Sequence, residues 1–339
     1  MSALQQLVLA LAIQGCFCGW WPLSAISRPP NAALQQELIL VKMGGSAITD
    51  KSKFETFKRD SMESISRDLA AAQRDCRHRF ILVHGAGSFG HHTARAYNLS
   101  TGGDDSSWVE GFSKTHRSVS KLNSMVLEEL HARGLNRVIH WPLFGSVKTF
   151  GKNAVLKRGS LGIRKLEEVL DAGFTPIMHG SMVLDSRQKC SVLSGDGILT
   201  AISKAFNRRF SQRDYVVKSC VFLTDVDGVF DVNPAVHKKA VLIRKIRAGG
   251  RKTLGHVDGM TTGVAVPDVT GGIKAKVSAA LEIANKAGVP VYIVRAGSDS
   301  AKEVLMGGRP SRGTEVLPYL HSEWGPVPMC EWIFPWTRR

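Results

Sequence analysis

Three glycine turns stand where this chain could hold anions, and each is flanked by a side chain able to carry positive charge. Lys42-Met43-Gly44-Gly45-Ser46 follows the apolar run Leu38-Ile39-Leu40-Val41. Glycines lack the Cβ that would keep backbone N–H groups from converging on a phosphate, and Lys42 adds a cation at the strand end. This is not a Walker A loop, which needs GxxxxGK[ST], and taken alone it is equally an ordinary tight turn. His84-Gly85-Ala86-Gly87-Ser88-Phe89-Gly90-His91 follows a second apolar run, Phe80 to Val83, and ends in a histidine. Two such loops suit two phosphorylated ligands meeting head to head. A lone histidine is more often a cap or a core residue, but the glycines around His91 favour an anion contact, with His92 as its solvated neighbour. The third turn, Asp268-Val269-Thr270-Gly271-Gly272, opens a helix carrying Lys274 and Lys276 in its first turns. Positive charge there opposes the helix dipole by about 0.3–1 kcal/mol unless an anion is present. An anion is therefore expected, against the plainer reading of two solubilising lysines.

The elements that must position these turns follow from periodicity. Between the first two apolar runs, Met62, Ile65, Leu69 and Ala72 recur at helical spacing within Asp60 to Arg74, so strand, helix and strand form a parallel crossover unit. Trp108 to Arg133 reads as a helix with Val119, Leu122, Met125, Val126 and Leu130 on one stripe. Thr175 to Met178 leads to Gly180, and a hairpin built from Met182 to Leu184 and Ser191 to Leu193 precedes Ser194-Gly195-Asp196-Gly197. A helix over Ile198 to Phe206, a strand over Tyr215 to Leu223 ending at Thr224-Asp225-Val226-Asp227-Gly228, a helix over Ile273 to Lys286 and a strand over Val291 to Val294 complete the pattern. That pattern is α/β with an open, mostly parallel sheet, and ligands are expected outside the strand C-termini.

At 339 residues and 43% hydrophobic content the chain can bury a large core. Its net charge of +16 would attract nucleic acid, anionic membrane or phosphorylated small molecules alike, so charge alone names no partner. The six cysteines, Cys16, Cys18, Cys76, Cys190, Cys220 and Cys330, show neither CxxC pairs nor zinc-finger spacing, which indicates reduced thiols. Leu7 to Ile13 is apolar but too short to span a bilayer, and no Lys or Arg precedes it. Residues 1–36 therefore read as an untargeted extension of a cytoplasmic protein, with secretory or plastid import as the alternative.

Together the three loops, Ser194-Gly195-Asp196 and Thr224 to Phe230 resemble, in this order, the amino acid kinase superfamily. HGAGSFGH ending at His91 resembles its isopentenyl phosphate kinase branch. The resemblance covers about Leu38 to Val316 and implies a three-layer αβα sandwich. In it residues 37–190 form an acceptor-binding lobe, 191–316 a nucleotide-binding lobe and 317–339 an aromatic tail with no counterpart. It further implies transfer of the terminal phosphoryl group of ATP to isopentenyl phosphate, with magnesium arriving on ATP and no metal ligands from the protein. By the same resemblance Lys42, Met43, Gly44, Gly45, Ser46, Gly87, Asp225, Gly272 and Lys276 bind the nucleotide. Ala86, His91 and Gly180 face the acceptor phosphate, Lys51 stabilises the transferring group, and Asp196 holds the active-site lysines.

A phosphate acceptor needs no general base, so His91 is expected to act by hydrogen bonding and charge, best when protonated. The stripe on the Trp108 to Arg133 helix with Phe112 is a candidate wall for an isoprenoid tail, although such a stripe is more often plain core. His116 is a weaker candidate, and Asp227 reads as structural. Ala86 stands where the family pattern often has glycine. Expected partners are the two small molecules and a second copy in a homodimer, with no nucleic acid and no stable membrane span. Alternatives are a carboxylate or nucleoside monophosphate acceptor, or a non-enzymatic basic protein using the solvated stretch Arg244 to Arg247 with Arg251 and Lys252.

Overall fold

The strands that stop at glycine turns lie side by side at the centre of one nine-stranded sheet. The computed structural model describes residues 36–75, 78–102, 107–143, 147–151, 155–156, 162–206, 215–249, 256–257 and 271–319. In chain order the elements are β1 (Gln36–Met43), α1 (Gly45–Ile48), α2 (Arg59–Asp75), β2 (Arg79–His84), α3 (Gly87–Ala96), α4 (Trp108–Ala132), β3 (Val138–His140), β4 (Lys148–Phe150), β5 (Val155–Leu156), α5 (Ile163–Asp171), β6 (Thr175–His179), β7 (Ser181–Asp185) and β8 (Lys189–Leu193). There follow α6 (Gly195–Phe206), β9 (Tyr215–Thr224), β10 (Val229–Phe230), β11 (Leu242–Ile243), β12 (Lys245–Arg247), β13 (His256–Val257), α7 (Gly271–Ala287), β14 (Val291–Arg295), α8 (Asp299–Leu305) and β15 (Thr314–Leu317).

The sheet order is β13-β12-β15-β14-β9-β1-β2-β6-β3. From β14 to β3 every pairing is parallel, and antiparallel pairings enter at β14–β15 and β12–β13. Alternation along β1 explains the layers. Leu38 and Leu40 point to one face, where α5, α6 and α7 supply Leu166, Leu170, Ile198, Ile202, Ala280 and Ile283. Ile39, Val41 and Met43 point to the other, where α2, α4 and α8 supply Met62, Ile65, Leu122, Val126, Val304 and Leu305. Full burial of each such side chain contributes roughly 1.5–3 kcal/mol. A strand covered on both faces must be apolar throughout, which is why β1 and β2 read as unbroken apolar runs.

Two expectations change. The stripe on α4 is core: Val119, Leu122, Val126 and Leu130 are fully buried, while Phe112 joins a separate small cluster with Leu99, Met182 and Cys190. The stretch Arg244 to Arg247 is no solvated loop, because Lys245–Arg247 forms β12 between β15 and β13 with Ile246 turned inward. Arg244 donates to the carbonyls of Pro310 and Ser311, and Arg251 and Lys252 lie outside the described residues. So do residues 1–35, Asp268 to Thr270 and 320–339. Among the described residues no helix is long and apolar enough to cross a membrane, and Cys190 and Cys220 are free and buried.

Candidate active site

Because β1 and β2 are parallel neighbours, the turns that follow them leave the same sheet edge together, and their glycines touch. A Cβ on Gly45 would lie 2.7 Å from both N and Cα of Gly87, and one on Gly85 would lie 2.8 Å from the Gly45 nitrogen. Gly87 has φ +52, and a Cβ there would collide with the Thr49 hydroxyl. That hydroxyl ties the turns together, donating to Gly45 O at 2.7 Å and accepting from Ser88 N at 2.9 Å. Some amides are spent on framing: Gly44 N donates to Leu223 O at 2.8 Å, and Gly85 N to Met43 O at 3.0 Å. The amides of Gly45, Ser46, Ala86 and Gly87 find no main-chain acceptor among the described residues. Four unspent donors in two abutting turns make an anion cradle. Gly45→Ala is expected to push the turns apart and lower kcat/KM by about 10²-fold; kinetics checked against a thermal melt separate this from unfolding.

Cations converge on the cradle from three elements. Lys42, at the end of β1 and 5% exposed, places Nζ 2.7 Å from Asp196 Oδ1 in the first turn of α6. Gly195 makes room for it, since a Cβ there would sit 3.3 Å from Lys42 Cε. On α7 the two lysines divide: Lys274 is exposed and Lys276 is buried. Burial, then the charges of Lys42 and Lys51, push the Lys276 amine down to about 8, although Asp196 and Asp225 pull the other way. Lys51 lies in the loop after α1, its Nζ 4.0 Å from where a Gly272 Cβ would be. That loop is tethered by Glu55, which accepts from Ser118 and Lys121, and by His92, whose Nε2 lies 3.2 Å from Lys51 O. His92 is thus more than a solvated neighbour. Asp225 accepts from the hydroxyls of Ser46 and Thr224, both at 3.0 Å. Burial opposes its charge, yet its own backbone amide, those hydroxyls and Lys276 hold its carboxyl below the usual range.

His91 lies on α3, the helix that the second turn opens, and is exposed. Lost hydration, followed by Lys51, Arg95, His92 and Lys42, holds its pKa below the ordinary histidine value and so disfavours the charged ring. The Gly180 amide donates to His84 O at 2.9 Å, so what this residue offers beside Gly195 is space. Ala86 needs no glycine, with φ −69 and its Cβ against Gly90. Asp227 accepts from Arg295 at 2.6 Å and Arg312 at 2.8 Å, a structural clamp. His116 meets the Ser181 hydroxyl at 3.1 Å. Sequence reading missed Lys58, whose Nζ donates to Ser46 O at 2.9 Å and steadies the first turn.

The sequence profile of the amino acid kinase family matches residues 37–295. The isopentenyl phosphate kinase of Methanothermobacter thermautotrophicus is 32% identical over 286 residues, covering 82% of this chain and 98% of that protein. The chain belongs to the amino acid kinase family, among its isopentenyl phosphate kinases. The isopentenyl phosphate kinase of Arabidopsis thaliana is 30% identical over 312 residues, covering 79% of this chain and 90% of the other. An X-ray structure of isopentenyl phosphate kinase superposes with a TM-score of 0.64 at 28% identity, covering 82% of this chain and 99% of that one. The fold of this kinase is accordingly the three-layer sandwich of its family, and the protein is a phosphotransferase.

Proposed function

We propose that the protein transfers the terminal phosphoryl group of ATP to isopentenyl phosphate, giving isopentenyl diphosphate and ADP. The observation that carries this reading is the pair of abutting turns with four unspent amides, ringed by Lys42, Lys51 and Lys276. The kinase names of its relatives support it. Lys42, the amides after Met43 and Gly87, together with Asp225, Gly272 and Lys276 from residues 191–316, take the nucleotide. Ala86, His91 and the space at Gly180 take the acceptor phosphate, within residues 37–190. An oxygen of the acceptor phosphate forms the new P–O bond while the bond between the γ-phosphorus and the β-bridging oxygen breaks, and ADP leaves with that electron pair. The acceptor oxygen is already anionic, so no base is needed and the protein aligns and neutralises. Magnesium fits as a passenger on ATP: Asp196 is engaged by Lys42 and Asp225 by two hydroxyls, leaving phosphate oxygens to hold the ion.

We further propose a cytoplasmic homodimer, the exposed Phe150, Leu184 and Val192 on the small sheet β5-β4-β7-β8 being apolar surface a second copy could cover. Light scattering of the purified chain reads the oligomer directly. Turnover across isopentenyl phosphate, longer isoprenyl monophosphates, acetylglutamate, glutamate and UMP tests the acceptor. Isopentenyl phosphate is expected to give the highest kcat/KM; preference for a carboxylate or for UMP overturns the proposal.

The depressed Lys276 amine has a measurable consequence. Between about 8 and its ordinary 10.5 the unfolded chain binds a proton at Lys276 that the folded, unliganded site does not, so raising pH through this window favours folding. The effect is bounded at about 3 kcal/mol by the size of the shift. Melting of unliganded wild type from pH 7.5 to 10.5 should decline less steeply than that of Lys276→Met. Equal slopes would place the Lys276 amine in solvent.

A further inference from the structure

We infer that His84, backed by the stacked imidazole of His179, is a positioning residue that turns the Gly85 carbonyl inward and thereby aims the Ala86 amide at the acceptor phosphate. The inference rests on the reading of the Gly85 to His91 turn as the acceptor site. Two strands end in the same dipeptide, His84-Gly85 after β2 and His179-Gly180 after β6, and His84 and His179 are paired in the parallel register of those strands. Their rings stack at 5.3 Å and 30°, and His140 from β3 continues the stack beyond His179 at 5.2 Å and 18°. Each ring turns Nδ1 to the carbonyl of the glycine that follows it, at 3.1 Å for His84 and Gly85 and at 3.2 Å for His179 and Gly180. The circuit closes through the main chain, because Gly180 N donates to His84 O at 2.9 Å.

The proton must sit on Nδ1. A carbonyl oxygen can only accept, so Nδ1 of each ring donates. The other nitrogen of His84, Nε2, lies 3.2 Å from Asn123 Oδ1 as the amide is placed. A neutral ring cannot donate from both nitrogens, and the Asn123 amide therefore turns its NH2 to Nε2, an exchange of near-identical shape. Burial, the leading cause in both rings, pushes His84 down to about 4 and His179 to about 3, so both are neutral around pH 7. Peptide bonds among the described residues are trans, and a trans unit points its C=O and N–H in opposite directions. Holding the Gly85 carbonyl against His84 therefore sends the Ala86 N–H outward, and that amide has no main-chain acceptor of its own among the described residues.

Two readouts on the full chain test this. Long-range ¹H–¹⁵N correlation of the histidine rings at pH 7, with His84 assigned by comparison with His84→Asn, should show a proton on Nδ1 in both His84 and His179. In steady-state kinetics His84→Leu, which fills the space without donating, should raise the acceptor KM by about tenfold while the ATP KM stays put. His84→Asn, whose amide Nδ2 replaces ring Nδ1, should return the acceptor KM to within about threefold of wild type. An Nε2-only proton on His84, or equal acceptor KM values for the Leu and Asn variants, overturns the inference. Wild type inert toward isopentenyl phosphate would sink the functional reading by itself, and the ring protons would still decide this one.

Discussion

Lys42→Met is expected to lower kcat by about 10³-fold, the size of effect seen when a preorganised charge is removed from a transition state. Three features make Lys42 the most exposed point of the site to such a test. It is buried at the strand end against the cradle, it pairs with Asp196 at 2.7 Å, and it lies close against Gly195 with Nζ 5.9 Å from the centre of the Phe222 ring. The substitution also leaves the Asp196 carboxylate without its partner, and breaking a buried pair costs about 3–5 kcal/mol. Stability should therefore fall along with activity. Lys276→Met supplies the contrast. Its activity should fall comparably, but the unliganded protein should melt higher at neutral pH, because a buried cation crowded by Lys42 and Lys51 is removed. Denaturation curves and kinetics on both variants read this directly. Loss of stability in both, or retained turnover in either, would contradict the assignment of the two lysines to the phosphates.

His91→Ala is expected to reduce kcat/KM for the acceptor by about 10²-fold or more while leaving nucleotide affinity nearly unchanged. Lost hydration, with the charges of Lys51, Arg95, His92 and Lys42 added to it, holds the pKa of the ring below its ordinary value. A phosphate dianion placed beside it raises its pKa again, so acceptor binding takes up a proton across the interval between the two values. Acceptor affinity therefore tightens as pH falls through that interval, and the trend levels off once the free ring is itself protonated. The acceptor phosphate titrates in the same region, so the diagnostic quantity is the difference in slope between wild type and His91→Ala. Calorimetry in buffers of differing ionisation enthalpy should show a proton taken up by wild type beyond that of the variant. Identical uptake would remove His91 from the acceptor.

Elements that bury both faces were legible in the sequence, because an unbroken apolar run stopping at glycine leaves few other readings: β1, β2, β9 and β14 begin and end within about two residues of expectation. Helices with a clear apolar stripe, α2, α4 and α7, were legible for the same reason. The helix α3 was not, because Gly87, Gly90 and the histidines disfavour a helix locally; it is held by the buried Phe89 and by Ser88 against Thr49. β12 hid because Lys-Ile-Arg shows a single inward residue. In the site, the residue types were readable and their electrostatics were not. The pKa of His91 depends on Lys51, Arg95, His92 and Lys42, which come from different parts of the chain, and Lys276 differs from Lys274 only in which way a helix face turns. The pairing of His84 with His179 had one local trace, the repeated His-Gly at two strand ends. The partner of Asp227 left none, since Arg295 and Arg312 reach it from β14 and the turn before β15.

The central claim concerns two anions facing each other across one cradle, and a crystal structure of the protein with a non-hydrolysable ATP analogue and isopentenyl phosphate addresses it most directly. The γ-phosphate should lie against the amides of Gly45 and Ser46 with Lys42, Lys51 and Lys276 within contact distance, and the acceptor phosphate should meet Ala86 N–H and the His91 ring on the opposite side. A nucleotide bound with Lys42 and Lys276 turned away from its phosphates, or an acceptor phosphate seated outside the turn that ends at His91, would contradict the account.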